Sequence, residues 1–424
     1  MGGGHAHRAN NEHATIDVGT TARTVLLGGL GVALLATLVA LVVWWPPGDA
    51  AQRSAEAGGE AAQFAAPGVD FPSGEVVEVA PRCGGQGLPD GSGCSTLSVE
   101  VAGEEYPVKV QVPPEVLDSG IDVGDRVELL RTPAAEGTDG AASYSYFATE
   151  RDGTLIWLAL LFVVVVLVIA RVRGLFALIG LAFGAVVVWW WVLPALLDGA
   201  PGVGVALAGS SAIMFVVLYT THGFSLRTST ALAGTLLGIV VTAGIGVIAI
   251  SDAHLTGVSD ESAAILATFG ELDFTDLLGC ALVIAGLGVL NDVTITQASA
   301  VWELRAVNPQ ASRTKVFTSA MRIGRDHIAS TIYTIVFAYV GTALILLMLL
   351  RVYDRPLIEL LSTEQLAEEV VRTLVTSIGL VLAVPITTAL AAAVASGTPE
   401  GHGGDHAAGP EDDEPQIEGS LHAS

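Results

Sequence analysis

Charge is what this sequence has least of. Ionised side chains make up 15% of its 424 residues and hydrophobic ones 51%, whereas a soluble protein carries about a quarter charged. Lysine is almost missing: Lys109 and Lys315 are the two present, and every other fixed positive charge is an arginine. The net charge of −24 excludes electrostatic binding to nucleic acid or to an anionic surface as the main activity. Also missing are a Walker motif, a nucleophile elbow, a paired metal-ligand helix motif and a Rossmann fingerprint. Catalysis therefore has no support, no cofactor is implied, and ATP-driven transport would need a separate subunit.

What the chain has instead is long apolar runs. Crossing about 30 Å of hydrocarbon takes about 20 mostly apolar residues in a helix, which satisfies every backbone polar group internally. Eight segments meet this requirement: 24–45, 154–170, 175–197, 203–220, 230–251, 276–297, 328–350 and 371–395. The fold class expected is an α-helical polytopic membrane bundle. Trp44-Trp45-Pro46-Pro47 ends the first run as an interfacial anchor rather than a signal-peptide cleavage site. Arginines set the orientation, because Lys and Arg in short loops stay on the cytoplasmic side. With the N-terminus inside, that side receives Arg8, Arg23, Arg171, Arg173, Arg227, Arg305, Arg313, Lys315, Arg322 and Arg325. Arg351 and Arg355 oppose the rule but are outnumbered. Both termini are predicted to be cytoplasmic, with 46–153 outside.

Residues 68–150 read differently. Short alternating stretches at 74–80, 96–102, 105–112, 126–131 and 144–148, separated by Gly, Pro and Asp, predict five strands and a small β-rich, OB-like barrel. Residues 46–67 form the linker to it. Cys83 and Cys94 lie in this exported domain across a Gly-rich turn, so a disulfide is expected. The tails, 1–23 and 397–424, are read as disordered. Their histidines are not taken as a metal site.

The most informative stretch is the end of the sixth span. Gly288, Asp292, Thr296, Ser299 and Glu303 follow a spacing that puts them on one helical face, with Asn291 beside Asp292. Two readings stand. Either this face lines a polar pathway, with Asp292 as proton acceptor or cation ligand, or the helix is ending and the polar groups are solvated. Arg322, Arg325 and Asp326 form a candidate cytoplasmic ion-pair cluster with Asp292 or Glu303, set against a bland reading as topological charge on an amphipathic helix. In the fifth span Gly234, Gly238, Thr242 and Gly246 recur every four residues, which predicts close helix packing.

Several motifs then fall in order: Leu255-Thr256-Gly257-Val258-Ser259-Asp260-Glu261, Gly288-Val289-Leu290-Asn291-Asp292-Val293, Ala298-Ser299, Glu303-Leu304, Asn308-Pro309, Gly324-Arg325-Asp326, Ser377-Ile378-Gly379 and Pro385-Ile386-Thr387. Through these, residues 74–395 resemble the YibE/F-like family of bacterial multipass membrane proteins. Asn291 stands where the family pattern leads one to expect Met. The resemblance implies a multipass membrane protein of permease type without an agreed substrate. The partners expected are the lipid bilayer, a small solute or ion, and a second copy or second membrane subunit. An envelope scaffold whose outer domain binds a partner is the alternative.

Overall fold

The structure is a computed structural model and describes residues 19–48, 69–80, 96–133, 142–259, 261–267, 272–352 and 356–395. The expected Cys83–Cys94 disulfide, the linker from residue 49 onward and the histidine-bearing tail segments lie outside the described residues.

Helix α1, Thr20–Val43, is apolar all round and stops at Trp44, two residues before a Pro-Pro pair that cannot continue it. The alternating region follows as five strands: β1 Ser73–Val79, β2 Thr96–Val101, β3 Val108–Gln111, β4 Arg126–Thr132 and β5 Ser143–Thr149. They pair antiparallel in the order β3-β2-β1-β4-β5. Alternation puts Val76, Leu97, Val99, Val101, Val110, Val127 and Leu129 into one core, as a period of two requires. The first and last strands of that order, β3 and β5, also touch. Between β3 and β4 a one-turn helix, α2 Pro114–Asp118, adds Leu117 to the core. β3 begins at Val108, later than expected, because Pro107 has no N–H to give a ladder.

The remaining described elements are nearly all helical. Helix α3 runs Asp152–Val187 and passes through a π turn, Val188–Val192, into α4, Leu193–Leu197. Then come α5 Gly202–His222, α6 Leu226–Asp252, α7 Glu261–Leu266, α8 Phe274–Val307, α9 Arg313–Thr342, α10 Leu344–Val352, α11 Leu357–Leu361 and α12 Glu364–Val394. Among the described residues six helices are long and apolar enough to cross a membrane, or seven if the bent pair α9 and α10 forms one span. That pair bends by 61°, so the run expected at 328–350 is not a straight helix.

Helix α3 is broken at Arg171, where φ is +52° and ψ −130°. In an unbroken helix, residues eight apart stand about 12 Å apart along the axis. Here a Cβ built on Gly174 would lie 2.6 Å from the Val166 carbonyl oxygen. The chain therefore doubles back at Arg171-Val172-Arg173.

Helices α6, α8 and α12 form the centre of the bundle. The four-residue glycine repeat does what its spacing predicts: Gly234 faces Thr387, Gly238 faces Leu290 and Ala383, and Gly246 faces Leu282. In α12, Gly379 returns the contact by facing Thr242. Pro385 sits inside α12, and the Thr388 hydroxyl donates to the Val384 carbonyl at 2.6 Å, so the strip beside the proline carries a local polar contact. Helices α1 and α3 flank this centre and expose long apolar faces, as lipid-facing helices do.

Candidate functional site

Depth can be read by comparing α8 with α6, which runs beside it in the opposite direction. Gly279 meets Ile250, Gly246 meets Leu282 and Gly238 meets Leu290, while Thr235 and Thr294 share a 2.6 Å hydroxyl contact. Ile239 is the midpoint of the 27-residue α6, so Leu290 lies level with the middle of that helix. Asp292 is two residues further on, about 3 Å along the axis. Asp292 therefore lies near the middle of α8, Phe274–Val307, and level with the middle of α6.

Asp292 points away from the three-helix centre. Its side chain is 68% exposed, and its Oδ2 lies 3.7 Å from Nε2 of His327 on α9. That imidazole is 30% exposed, and its Nε2 is buried without a hydrogen-bond partner. Asn291 turns the other way, with a buried Oδ1 that also lacks a partner. Thr296 and Ser299 are half-buried and Glu303 is exposed. The Thr296 hydroxyl donates to the Asp292 carbonyl at 2.7 Å. The predicted face is thus a single stripe on the outer side of α8, continued upward by the exposed small residues Ala281, Ala285 and Gly288.

Arg322, Arg325 and Asp326 are exposed on α9, and among the described residues no ion pair joins them to Asp292 or Glu303. The close contact between ionisable groups at this level is instead Asp292–His327, at 3.7 Å. Gly324 explains why α9 comes so near: a Cβ there would stand 2.8 Å from Val384 and 3.0 Å from Gln297. Gln297 is fully buried and donates to the Ala320 carbonyl at 2.9 Å. Below it, buried Arg305 donates to the carbonyls of Pro309 and Ala311 at 3.1 and 2.6 Å. This fixes the Asn308-Pro309 turn between α8 and α9.

A second polar cluster was not anticipated from the sequence. The Thr256 N–H and hydroxyl both donate to Glu364, at 2.6 and 2.5 Å, and the Ser259 hydroxyl donates to Glu368 at 2.8 Å. Gly257 makes this loop possible, with φ +78° and a Cβ position only 2.3 Å from the Phe274 carbonyl oxygen. Glu368 is buried, with Oε1 unpartnered. Next to it Arg372 and Glu369 form a 2.7 Å ion pair. A groove of about 310 Å³ between α9, α10 and α12 has Glu369 as its one acidic lining residue. The missed signal was the spacing of Glu364, Glu368 and Arg372, four residues apart, together with the hydroxyls of Thr256 and Ser259.

Outside the spans, Asp273 caps α8. Donation from the Thr275 hydroxyl at 2.6 Å, then from the Asp276 N–H at 3.1 Å, holds its carboxyl below the usual carboxylate range.

Among the described residues no group of three or more His, Cys, Asp or Glu is arranged to hold a metal ion. No curated protein and no solved structure matches the chain. The description "YibE/F-like protein" belongs to a family model that matches residues 158–397, covering every helix that builds the site, and with more than half of the chain matched this membrane protein belongs to the YibE/F-like family.

Proposed function

We propose that this protein is a secondary permease or channel-like transporter of a bacterial plasma membrane. The observation that carries the reading is the Asp292–His327 pair, two ionisable side chains 3.7 Å apart on neighbouring helices at mid-depth of the bundle. A charged residue at that depth costs about 2.5–3.5 kcal/mol on insertion scales and faces protein or water in functional sites. Asp292 serves as proton acceptor or cation ligand, with Thr296, Ser299 and Glu303 continuing the polar face toward the cytoplasm. The buried Glu368 and the Arg372–Glu369 pair form a second station at the opposite end. No catalytic activity is assigned.

The membrane placement in this reading has eight spans. The reversal at Arg171 divides α3 in two, and α9 with α10 supplies the seventh. Both termini are cytoplasmic, and the β-sheet domain is exported. Its strand order, the contact of β3 with β5 and the helix between β3 and β4 support an OB-like barrel.

Reconstituted protein should be screened for flux of protons, metal ions and organic solutes, with Asp292→Asn and His327→Gln beside it. Flux that falls at least tenfold in both variants supports the reading, and flux unchanged by Asp292→Asn sinks it. The alternative is an envelope scaffold, which the close fit of α6, α8 and α12 favours. It expects deletion of residues 68–150 to abolish function while Asp292→Asn is tolerated.

A further inference from the structure

Helices α1 and the second half of α3 both pack on α5, and they enclose a groove of about 690 Å³. At the outer end the groove is closed: the Trp191 indole N–H donates to the Leu41 carbonyl at 3.1 Å, and the Trp44 ring lies against Gly204. Toward the other end the two helices leave a space lined by Leu27, Leu30 and Leu34 of α1 and by Phe176 and Phe215 opposite. Tyr219 and Phe224 finish the lining. Their rings stack with centroids 4.5 Å apart, although Phe224 is 88% exposed.

At the open end the chemistry changes from apolar to positive. Arg23 is one helical turn before Leu27, on the face of α1 that lines the groove. Arg173 lies three residues before Phe176, in the reversal of α3, and Arg227 is in the first turn of α6. Arg227 follows Phe224 by three residues as Arg173 precedes Phe176 by three, so each flanks a residue that lines the groove. None of the three arginines forms an ion pair among the described residues.

We propose that this groove is a binding site for an anionic phospholipid of the cytoplasmic leaflet, with an acyl chain between α1 and α3 and the phosphate among Arg23, Arg173 and Arg227. An apolar slot in the hydrocarbon layer takes a chain, and a basic cluster at the cytoplasmic end of spans takes an anionic head group. Charge complementarity selects the lipid class. The inference rests on the membrane placement and orientation above, and not on the transport reading.

The test uses full-length protein in detergent with added phosphatidylglycerol or phosphatidylcholine of the same acyl chains, read by native mass spectrometry and thermal unfolding. The expected result is preferential retention of phosphatidylglycerol, reduced about fivefold by each of Arg173→Gln and Arg227→Gln, since a basic residue near the surface contributes about that factor. Gly31→Trp fills the groove. A Cβ at Gly31 meets no atom within 4 Å; thermal unfolding of the lipid-free variant at the parent's temperature shows that it folds, and its lipid retention should be lost. Equal retention of the two lipids would overturn the proposal, as would retention untouched by all three variants. Protection by glycerol phosphate alone equal to that by phosphatidylglycerol would replace the lipid with a soluble phosphate ligand. Loss of flux in the transport assay has no bearing on any of these readouts.

Discussion

At the scale of single residues, polar groups inside and outside the apolar bundle are held by different means. Ser259 donates to buried Glu368 across an interhelical loop, and its loss leaves a carboxylate with neither oxygen well satisfied. Ser259→Ala should lower stability by about 1–3 kcal/mol, read as earlier thermal unfolding in detergent, with Glu368→Gln recovering part of the loss in the double variant. Asp273 acts outside the bundle. Because its folded carboxyl is held below the ordinary range, the cap's stabilisation is fully present above the unfolded carboxylate pKa and is lost as pH falls through the lower folded value. Asp273→Asn should therefore flatten the acid limb of an unfolding-versus-pH curve, and an unchanged limb would show that the cap carries no pH-linked stability. Asp292 was readable in the sequence because an acid interrupts an apolar run. Its partner His327 was not, because the contact joins residues 35 positions apart on two helices. Glu368 and Glu369 were passed over since they precede the apolar run at 371 and resemble a loop, although α12 begins at Glu364.

At the scale of elements, the helices and strands were the most readable part. Hydrophobic run length marks lipid-crossing helices and period-two alternation marks strands, and each signal is local. The 61° bend between α9 and α10 has no such local sign, and neither does the π turn at Val188–Val192. Packing is readable where glycine recurs every four residues. Gly379→Ala puts a methyl group 2.0 Å from the Thr242 hydroxyl oxygen, and an overpacked contact of this kind costs about 1–3 kcal/mol. Gly244→Ala, with no atom within 4 Å, should leave stability unchanged or slightly raised. Equal unfolding temperatures for these two variants would contradict the close approach of α6 and α12.

At the scale of the whole molecule, the tight centre of α6, α8 and α12 lies to one side of the ionisable pair. Asp292 and His327 sit where α8 meets α9, the most polar of the long helices, so the path proposed for solute lies beside the central three helices rather than through them. This follows from where the small and charged residues fall on α8: glycine and leucine turn toward α6 and α12, and the Ala281-Ala285-Gly288-Asp292 stripe turns out. The measurement that tests the central claim most directly is aqueous access at that position. In a background with Cys83→Ser, Cys94→Ser and Cys280→Ser, Asp292→Cys should react in native membranes with a small hydrophilic thiol reagent, and Leu290→Cys, whose native side chain is buried, should not. A cysteine at 292 that stays unreactive from both sides of the membrane would place it against lipid or protein and contradict the account.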